Sequence, residues 1–130
     1  MTSRRARGAL ERLYRAGPVD PVHLETEATW QTWVLDEAHR LGWAVAHFRP
    51  AQTARGWRTP VEAEGAGWVD LTLVRDRVVF AELKSQRGRL TAAERDWRDR
   101  LEAAGAEVYL WRPSDRALIT ETLTRKAKHP

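Results

Sequence analysis

The fold is decided by two apolar runs, Gly67-Trp68-Val69-Asp70-Leu71-Thr72-Leu73-Val74 and Val79-Phe80-Ala81-Glu82-Leu83-Lys84, which flank the polar residues Arg75-Asp76-Arg77. Runs of this kind around a short polar break predict a β-hairpin, here over about 68–74 and 78–84. The hairpin would place Asp70 and Glu82 nearly opposite each other on neighbouring strands.

Two carboxylates that face each other across paired strands repel, and a divalent cation between them removes that repulsion. Side chains of a strand alternate between its faces, so Glu82 and Lys84 point the same way and the ammonium is directed at whatever the cation holds. For either carboxylate alone, a structural ion pair with an arginine would be the better interpretation. Two carboxylates beside one lysine favour a catalytic site instead, of the type found in metal-dependent nucleases.

Composition limits the other classes of site. The 130 residues are enough for one domain, and the absence of cysteine excludes disulfides and thiolate zinc sites. The four histidines form no zinc pattern, so a hard cation on oxygen ligands remains. No apolar run approaches the roughly 18 residues of a membrane span, and the N-terminus lacks the apolar segment of a signal peptide. We therefore expect no membrane partner and a cytoplasmic protein, associated with the nucleoid or present in the cytosol of a phage-infected host.

Positive charge is concentrated at the two ends. The net charge is +4 for residues 1–15, +3 for residues 125–130 and −3 for the segment between them. Basic ends are compatible with a nucleic-acid partner, although they also occur as solubilising tails. We interpret residues 1–20 as a flexible basic arm and residues 21–130 as a single domain with a short basic C-terminal tail.

Hydrophobic periodicity predicts an α/β protein with the order helix, three strands, helix, strand, helix. A long connection, in which loop residues and cations predominate, would follow the first strand. Ser114 is a candidate N-cap for the last helix. Besides the hairpin, the predicted segments are a helix over 26–41, a strand over 43–48, a loop over 50–66, a helix over 91–104, a strand over 106–111 and a helix from 113 to about 125.

Two further glutamates are candidates for the site, and each has a structural alternative. Glu27 shares the apolar stripe of the first helix, but an acidic residue in a first helical turn is also favoured by the helix dipole. Glu94 completes a capping box that begins at Thr91, which favours a structural role. It also lies on the face of its helix that should pack near the hairpin.

Four arginines lie in the connections on either side of the hairpin, where they could contact phosphates, or equally be solvated loop residues. They are Arg55, Arg58, Arg87 and Arg89. Trp57 could stack on an unpaired base or cover the core, and the other six tryptophans are expected to be packing residues.

These residues resemble the signature of the VRR-NUC family, within the PD-(D/E)xK nuclease superfamily. The similarity covers about residues 25–120 and rests on residues 67–71, 81–84, 88–91 and 109–113, with Trp97, Leu101, Gly105 and Val108. It departs from the family at Val69, where proline is usual, and at Glu94, where glutamine is typical. The resemblance implies a restriction-endonuclease-like core of order αβββαβ with a C-terminal helix, in which a mixed sheet is flanked by helices.

The resemblance also implies roles for individual residues. Asp70 and Glu82 would bind Mg²⁺ or Mn²⁺, with the Leu83 backbone carbonyl as a further ligand. Lys84 would contact the attacking water or the scissile phosphate, and Glu27 matches the glutamate of the superfamily's first helix.

The expected function is therefore that of a metal-dependent DNA endonuclease acting on branched or structured DNA. Stand-alone members of the family resemble Holliday-junction resolvases, which implies a homodimer. Two alternatives remain at this point: a non-catalytic DNA-binding module on a nuclease fold, and a nicking or restriction-type phage nuclease.

Overall fold

A computed structural model describes residues 26–48, 51–53, 56–58 and 62–128. Its first helix, α1, spans Glu27–Arg40 and begins at Thr26, whose hydroxyl accepts a hydrogen bond from the Thr29 amide. Trp30, Val34 and Ala38 form its buried stripe. The helix is followed by Gly42, whose φ of +89° suits glycine.

Four strands form the main sheet, in the order β1 (Ala44–His47), β4 (Leu71–Val74), β5 (Val78–Leu83) and β6 (Glu107–Trp111). The β1/β4 and β4/β5 pairs are antiparallel and the β5/β6 pair is parallel, so the sheet is mixed. This confirms the predicted α/β class and the order of the main elements. The remaining bounds are β2 Ala51–Thr53, β3 Gly56–Arg58, α2 Ala92–Ala103, a 3₁₀ turn at Pro113–Asp115 and α3 Arg116–Thr124.

The two faces of the sheet have different partners. Leu71, Leu73, Val79, Ala81 and Leu83 belong to one buried cluster with side chains of α1 and α3. The alternate residues lie on the other face, where Trp68 contacts Phe80 of β5 and Trp97 of α2 edge to face. None of the helices in the described part of the chain is long and apolar enough to cross a membrane.

Two local predictions were wrong. Residues 51–53 and 56–58 of the predicted 50–66 loop pair as a separate two-stranded antiparallel sheet, because even three-residue segments can form a ladder without an alternating pattern. Ser114 does not cap the last helix. Its amide and hydroxyl exchange hydrogen bonds with the Gln86 side chain, and the carboxylate of Asp115 accepts from the Arg112 amide instead.

The β4–β5 turn is fastened to the end of α3 by two arginines. Arg75 donates to the carbonyls of Leu41 and Leu123, while Arg77 donates to that of Thr122 and pairs with Glu107. Both guanidinium groups also donate to the carbonyl of Arg125, the first residue of the predicted basic tail. The last turn of a helix leaves carbonyls without partners, so these contacts complete α3 and fix the hairpin against it.

Gly67 determines how the start of α2 approaches the sheet. Its φ is +83°, and a Cβ at this position would lie 2.6 Å from the Ala93 carbonyl carbon and 2.8 Å from the Glu94 amide nitrogen. One turn further along α2, the Trp97 indole donates to the carbonyls of Glu64 and Ala66. The segment that leads to Asp70 is therefore in direct contact with the first turns of α2.

We expect Gly67→Ala to destabilise the protein by about 3 kcal/mol, since it combines a strained backbone conformation with a collision against the helix backbone. Gly105→Ala is the matched control, because Gly105 has a φ of +85° but no atom within 4 Å of an added Cβ. Its cost should be about 1 kcal/mol, from the backbone conformation alone. Urea unfolding of the two variants measures the difference, and equal losses would contradict the close approach.

Candidate metal centre

The carboxylates of Asp70 and Glu82 meet at the end of the β4–β5 ladder. Leu71 pairs with Ala81, so Asp70 stands one position further on, opposite Glu82. Both side chains point to the face that carries α2, away from the cluster formed by Leu71 and Ala81. The predicted juxtaposition of the two carboxylates is confirmed.

Glu82 is in an unusual environment for a carboxylate. The residue is only 3% exposed, and its Oε2 atom is buried with no hydrogen-bond donor among the described residues. Burial raises the pKa of Glu82 to about 10, and hydrogen bonding to Glu94 and the negative charge of Asp70 act in the same direction. Without a cation, Glu82 therefore retains its proton at neutral pH and can donate it to a neighbouring carboxylate.

Asp70 is better supplied with donors. Its Oδ2 atom accepts a hydrogen bond of 2.8 Å from the backbone amide of Leu83. Burial raises the pKa of Asp70 above its ordinary value, although hydrogen bonds from the Leu83 amide and from Glu82 oppose that shift. Burial thus raises the pKa values of both carboxyl groups, more strongly for Glu82, where the charge of Asp70 adds to the effect, so that the pair favours holding one proton.

Lys84 is held by Glu94. Its Nζ atom lies 2.9 Å from both carboxylate oxygens of Glu94 and 3.8 Å from Oε1 of Glu82. Burial alone would raise the pKa of Glu94, but hydrogen bonds with Glu82, the Thr91 amide and Lys84 lower it to about 2. Glu94 is therefore ionised, and the ammonium of Lys84 offsets its charge.

Glu94 both caps α2 and contacts a site residue, so each of its two predicted positions is found in the structure. The Thr91 amide donates to Oε1 of Glu94 at 2.8 Å and the Glu94 amide donates to the Thr91 hydroxyl, which confirms the capping box. The contact with Lys84 places the same carboxylate in the site as well. Capping is therefore not its only role.

The residues present fit a hard divalent cation with few protein ligands. Asp70 and Glu82 offer two adjacent carboxylates, and the donor-free Oε2 atom of Glu82 is an oxygen that a cation would satisfy. Within the described ranges, no group of three or more His, Asp or Glu side chains is arranged to hold a metal ion. Two carboxylates are nevertheless a usual protein contribution to Mg²⁺, which retains several waters and takes ligands from substrate phosphates.

The site prediction also included Glu27, Arg55 and Arg58. Glu27 is exposed at the start of α1, where its carboxylate accepts from the Gln31 side chain at 3.3 Å and contacts none of the other candidate acids. Arg58 belongs to β3, for which only the backbone is described, and Arg55 lies outside the described residues. The roles predicted for these three residues remain predictions.

Arg87 and Arg89 are exposed on the connection that follows Lys84. This connection is held by Arg112, whose Nη1 atom donates to the carbonyls of Ser85 at 2.7 Å and Gly88 at 2.6 Å. No sequence motif assigns a role to Arg112. Its position directly after β6 suggests one, because the parallel neighbour β5 ends at Leu83, immediately before Lys84.

Comparison of the chain with protein-family models, curated proteins and solved structures finds no match.

The stability of the cation-free protein should fall as the pH rises from about 6 to 9. Glu82 keeps its proton in the folded protein, whereas the unfolded chain releases it near pH 4.3, so the folded state binds more protons across this range. The slope contributed by one such group is at most about 1.4 kcal/mol per pH unit. The neutral side chain of the Glu82→Gln variant should remove that slope.

Thermal melts in EDTA at several pH values measure the effect. Glu102→Gln serves as the control, since Glu102 is an exposed residue near the end of α2 and its loss should preserve the wild-type slope. Parallel pH profiles for wild type and Glu82→Gln would rule out a proton held by Glu82.

Proposed function

We propose that this protein is a Mg²⁺- or Mn²⁺-dependent DNA endonuclease that hydrolyses phosphodiester bonds. The observation that carries the proposal is the meeting of Asp70 and Glu82 on one face of the sheet, with Lys84 two residues beyond. A structural ion pair needs one carboxylate and one cation. Here a buried carboxylate with a donor-free oxygen lies beside a second carboxylate. This arrangement costs folding stability, and such costly pairs of acids are typical of functional sites.

The site residues have separate tasks in this proposal. Asp70 and Glu82 would hold the cation, which, when bound, supplies Lewis-acid activation of water and neutralises charge on the phosphate. Lys84 offers a positive contact to the scissile phosphate. In the reaction, water forms a new bond to phosphorus, the bond from phosphorus to the leaving oxygen breaks, and the proton from water ends on that oxygen.

The fold supports the same proposal at a coarser level. A helix, an antiparallel three-strand unit, a crossover helix and a parallel strand match the αβββαβ order of the PD-(D/E)xK superfamily, with α3 as the C-terminal helix. On this basis we propose a restriction-endonuclease-like core and a relationship to the VRR-NUC family. Glu27 keeps the role implied by that resemblance, and Arg55 and Arg58 keep the phosphate contacts suggested by their place beside the hairpin.

The proposed substrate is branched or otherwise structured DNA. Arg87 and Arg89 lie exposed on a connection held in place by Arg112, beside Lys84, and would contact phosphates near the cut. The domain has little surface for reading base sequence, which favours recognition of DNA shape. A homodimer would allow symmetric cuts in both strands of a junction.

A labelled four-way junction, fork, linear duplex and single strand, each with Mg²⁺, Mn²⁺ or EDTA, test this proposal. We expect cation-dependent cleavage that is fastest on the junction. Asp70→Asn, Glu82→Gln and Lys84→Ala should each lower cleavage by about 100-fold or more while DNA binding survives, because the chemistry depends on the site and much of the affinity on basic residues elsewhere.

Glu102→Gln is the control for these variants and should cleave like the wild type. Cleavage by a purified Asp70→Asn protein at the wild-type rate would contradict the proposed nuclease site. Binding without cleavage in the wild type, under all cation conditions, would favour the non-catalytic DNA-binding module. Nicking of linear duplex in preference to the junction would favour the restriction-type alternative.

Cation binding can also be measured without cleavage. Saturating Mg²⁺ or Mn²⁺ should raise the melting temperature of the wild type, because the cation relieves the repulsion of Asp70 and Glu82, and about 2.7 kcal/mol is gained at 100 times the dissociation constant. The gain should grow with pH, since the cation displaces the proton of Glu82. Asp70→Asn should reduce the shift, and equal shifts in the two proteins would argue against a shared site.

A further inference from the structure

We propose that Glu94 is a positioning residue, which holds the Lys84 ammonium in the substrate-free protein and gives it up to a phosphate when nucleic acid binds. This inference rests on the proposed function and adds an exchange of partners at Lys84. Glu94 would set how tightly a phosphate is held and would take no part in the chemical step.

The contacts of Lys84 show what a phosphate must displace. Both oxygens of Glu94 lie 2.9 Å from Nζ, whereas Oε1 of Glu82, at 3.8 Å, is beyond hydrogen-bond distance. The Lys84 side chain is 20% exposed and that of Glu94 is 15% exposed. The Lys84 side chain is therefore partly open to solvent, but the strongest described interaction of its ammonium is already with a carboxylate.

Glu94 is fixed more firmly than Lys84. Its Oε1 atom accepts from the Thr91 amide at 2.8 Å, and its backbone amide donates to the Thr91 hydroxyl. Gly67 packs against the backbone at the same point of α2. Lys84 has a flexible four-carbon stem, so an exchange would move the ammonium toward the phosphate and leave Glu94 on its cap.

The exchange has an electrostatic cost. A phosphodiester and Glu94 each carry one negative charge and compete for a single ammonium in a partly buried site. Separating Lys84 from Glu94 leaves the glutamate without its counterion, next to Asp70 and Glu82. The free energy needed to open this ion pair therefore weakens the binding of nucleic acid. A cation between the two other carboxylates would reduce that cost.

Glu94→Gln tests the exchange, because glutamine also serves a capping box but carries no charge. Dissociation constants for a labelled four-way junction are measured by fluorescence anisotropy in EDTA, for wild type, Glu94→Gln, Lys84→Met and the double variant. We expect Glu94→Gln to tighten binding by about three- to tenfold in the presence of Lys84, and by less than about 1.5-fold in the Lys84→Met background. Melting temperatures establish that each variant is folded.

The double variant separates the exchange from a general effect of charge. Removing any acid near DNA improves binding, but such a gain is independent of Lys84. Equal gains in both backgrounds, or no gain from Glu94→Gln with Lys84 present, would overturn the inference. Glu102→Gln on the same helix is the matched control, and it should leave the dissociation constant within about twofold.

A kinetic measurement needs only the single variant. With Mg²⁺ or Mn²⁺, Glu94→Gln should lower the KM for DNA by the same factor as the dissociation constant, and a fall in kcat with an unchanged KM would overturn the positioning role. If the protein binds and cuts DNA but Glu94 and Lys84 show no coupling, the exchange is overturned and the nuclease proposal stands. If the protein neither binds nor cuts DNA, both are overturned.

Discussion

Repulsion between the carboxylates of Asp70 and Glu82 is the constraint on which the surrounding arrangement depends. The two groups meet at the end of an apolar ladder, where ionised carboxylates with no counter-charge would be strongly destabilising. The protein relieves this with a proton on Glu82 and with the Leu83 amide hydrogen-bonded to Asp70. A third carboxylate, that of Glu94, is offset by Lys84. The four ionisable side chains then carry a formal net charge of −1, so that a divalent cation can bind without exposing a new uncompensated charge.

The opposite end of the hairpin is arranged to hold this geometry. If either strand of the hairpin slipped by one residue, its carboxylate, Asp70 or Glu82, would turn into the core that contains Leu71 and Ala81. The apolar alternation opposes such a shift, and so do Arg75 and Arg77, which fasten the turn to the last carbonyls of α3. Both guanidinium groups also lie over the ring of buried Trp43, within 5.0 Å of its centroid. The end of the hairpin where the two carboxylates meet is thus opposite a turn that is held by many hydrogen bonds.

Periodicity in the sequence predicted most of this fold, because the spacing of apolar residues reflects which side chains are buried. The two apolar runs and the short polar break between them were enough to predict that Asp70 faces Glu82, and the stripe of Trp30, Val34 and Ala38 predicted α1. Contacts made by polar groups were harder to foresee. The sequence showed a capping box at Glu94 but not the choice of Lys84 as its partner, since that contact depends on how closely α2 approaches the sheet at Gly67. Arg112 binds backbone carbonyls, which carry no side-chain signal, and the short strands β2 and β3 have too few residues to show a period.

The distribution of charge bears on how nucleic acid would reach such a centre. The carboxylates give the site a negative field of their own, while positive charge lies outside it, on exposed Arg87 and Arg89 and on tail residues such as Lys126 and Lys128. In the proposed function, the outer cations would attract the DNA backbone toward the protein at long range, whereas the centre itself would place the scissile phosphate. A cation between Asp70 and Glu82 would ease the final approach, because without it the phosphate meets the carboxylates and must take Lys84 from Glu94 unaided. In the proposed function, the cation would therefore strengthen binding in the productive position as well as supply the chemistry.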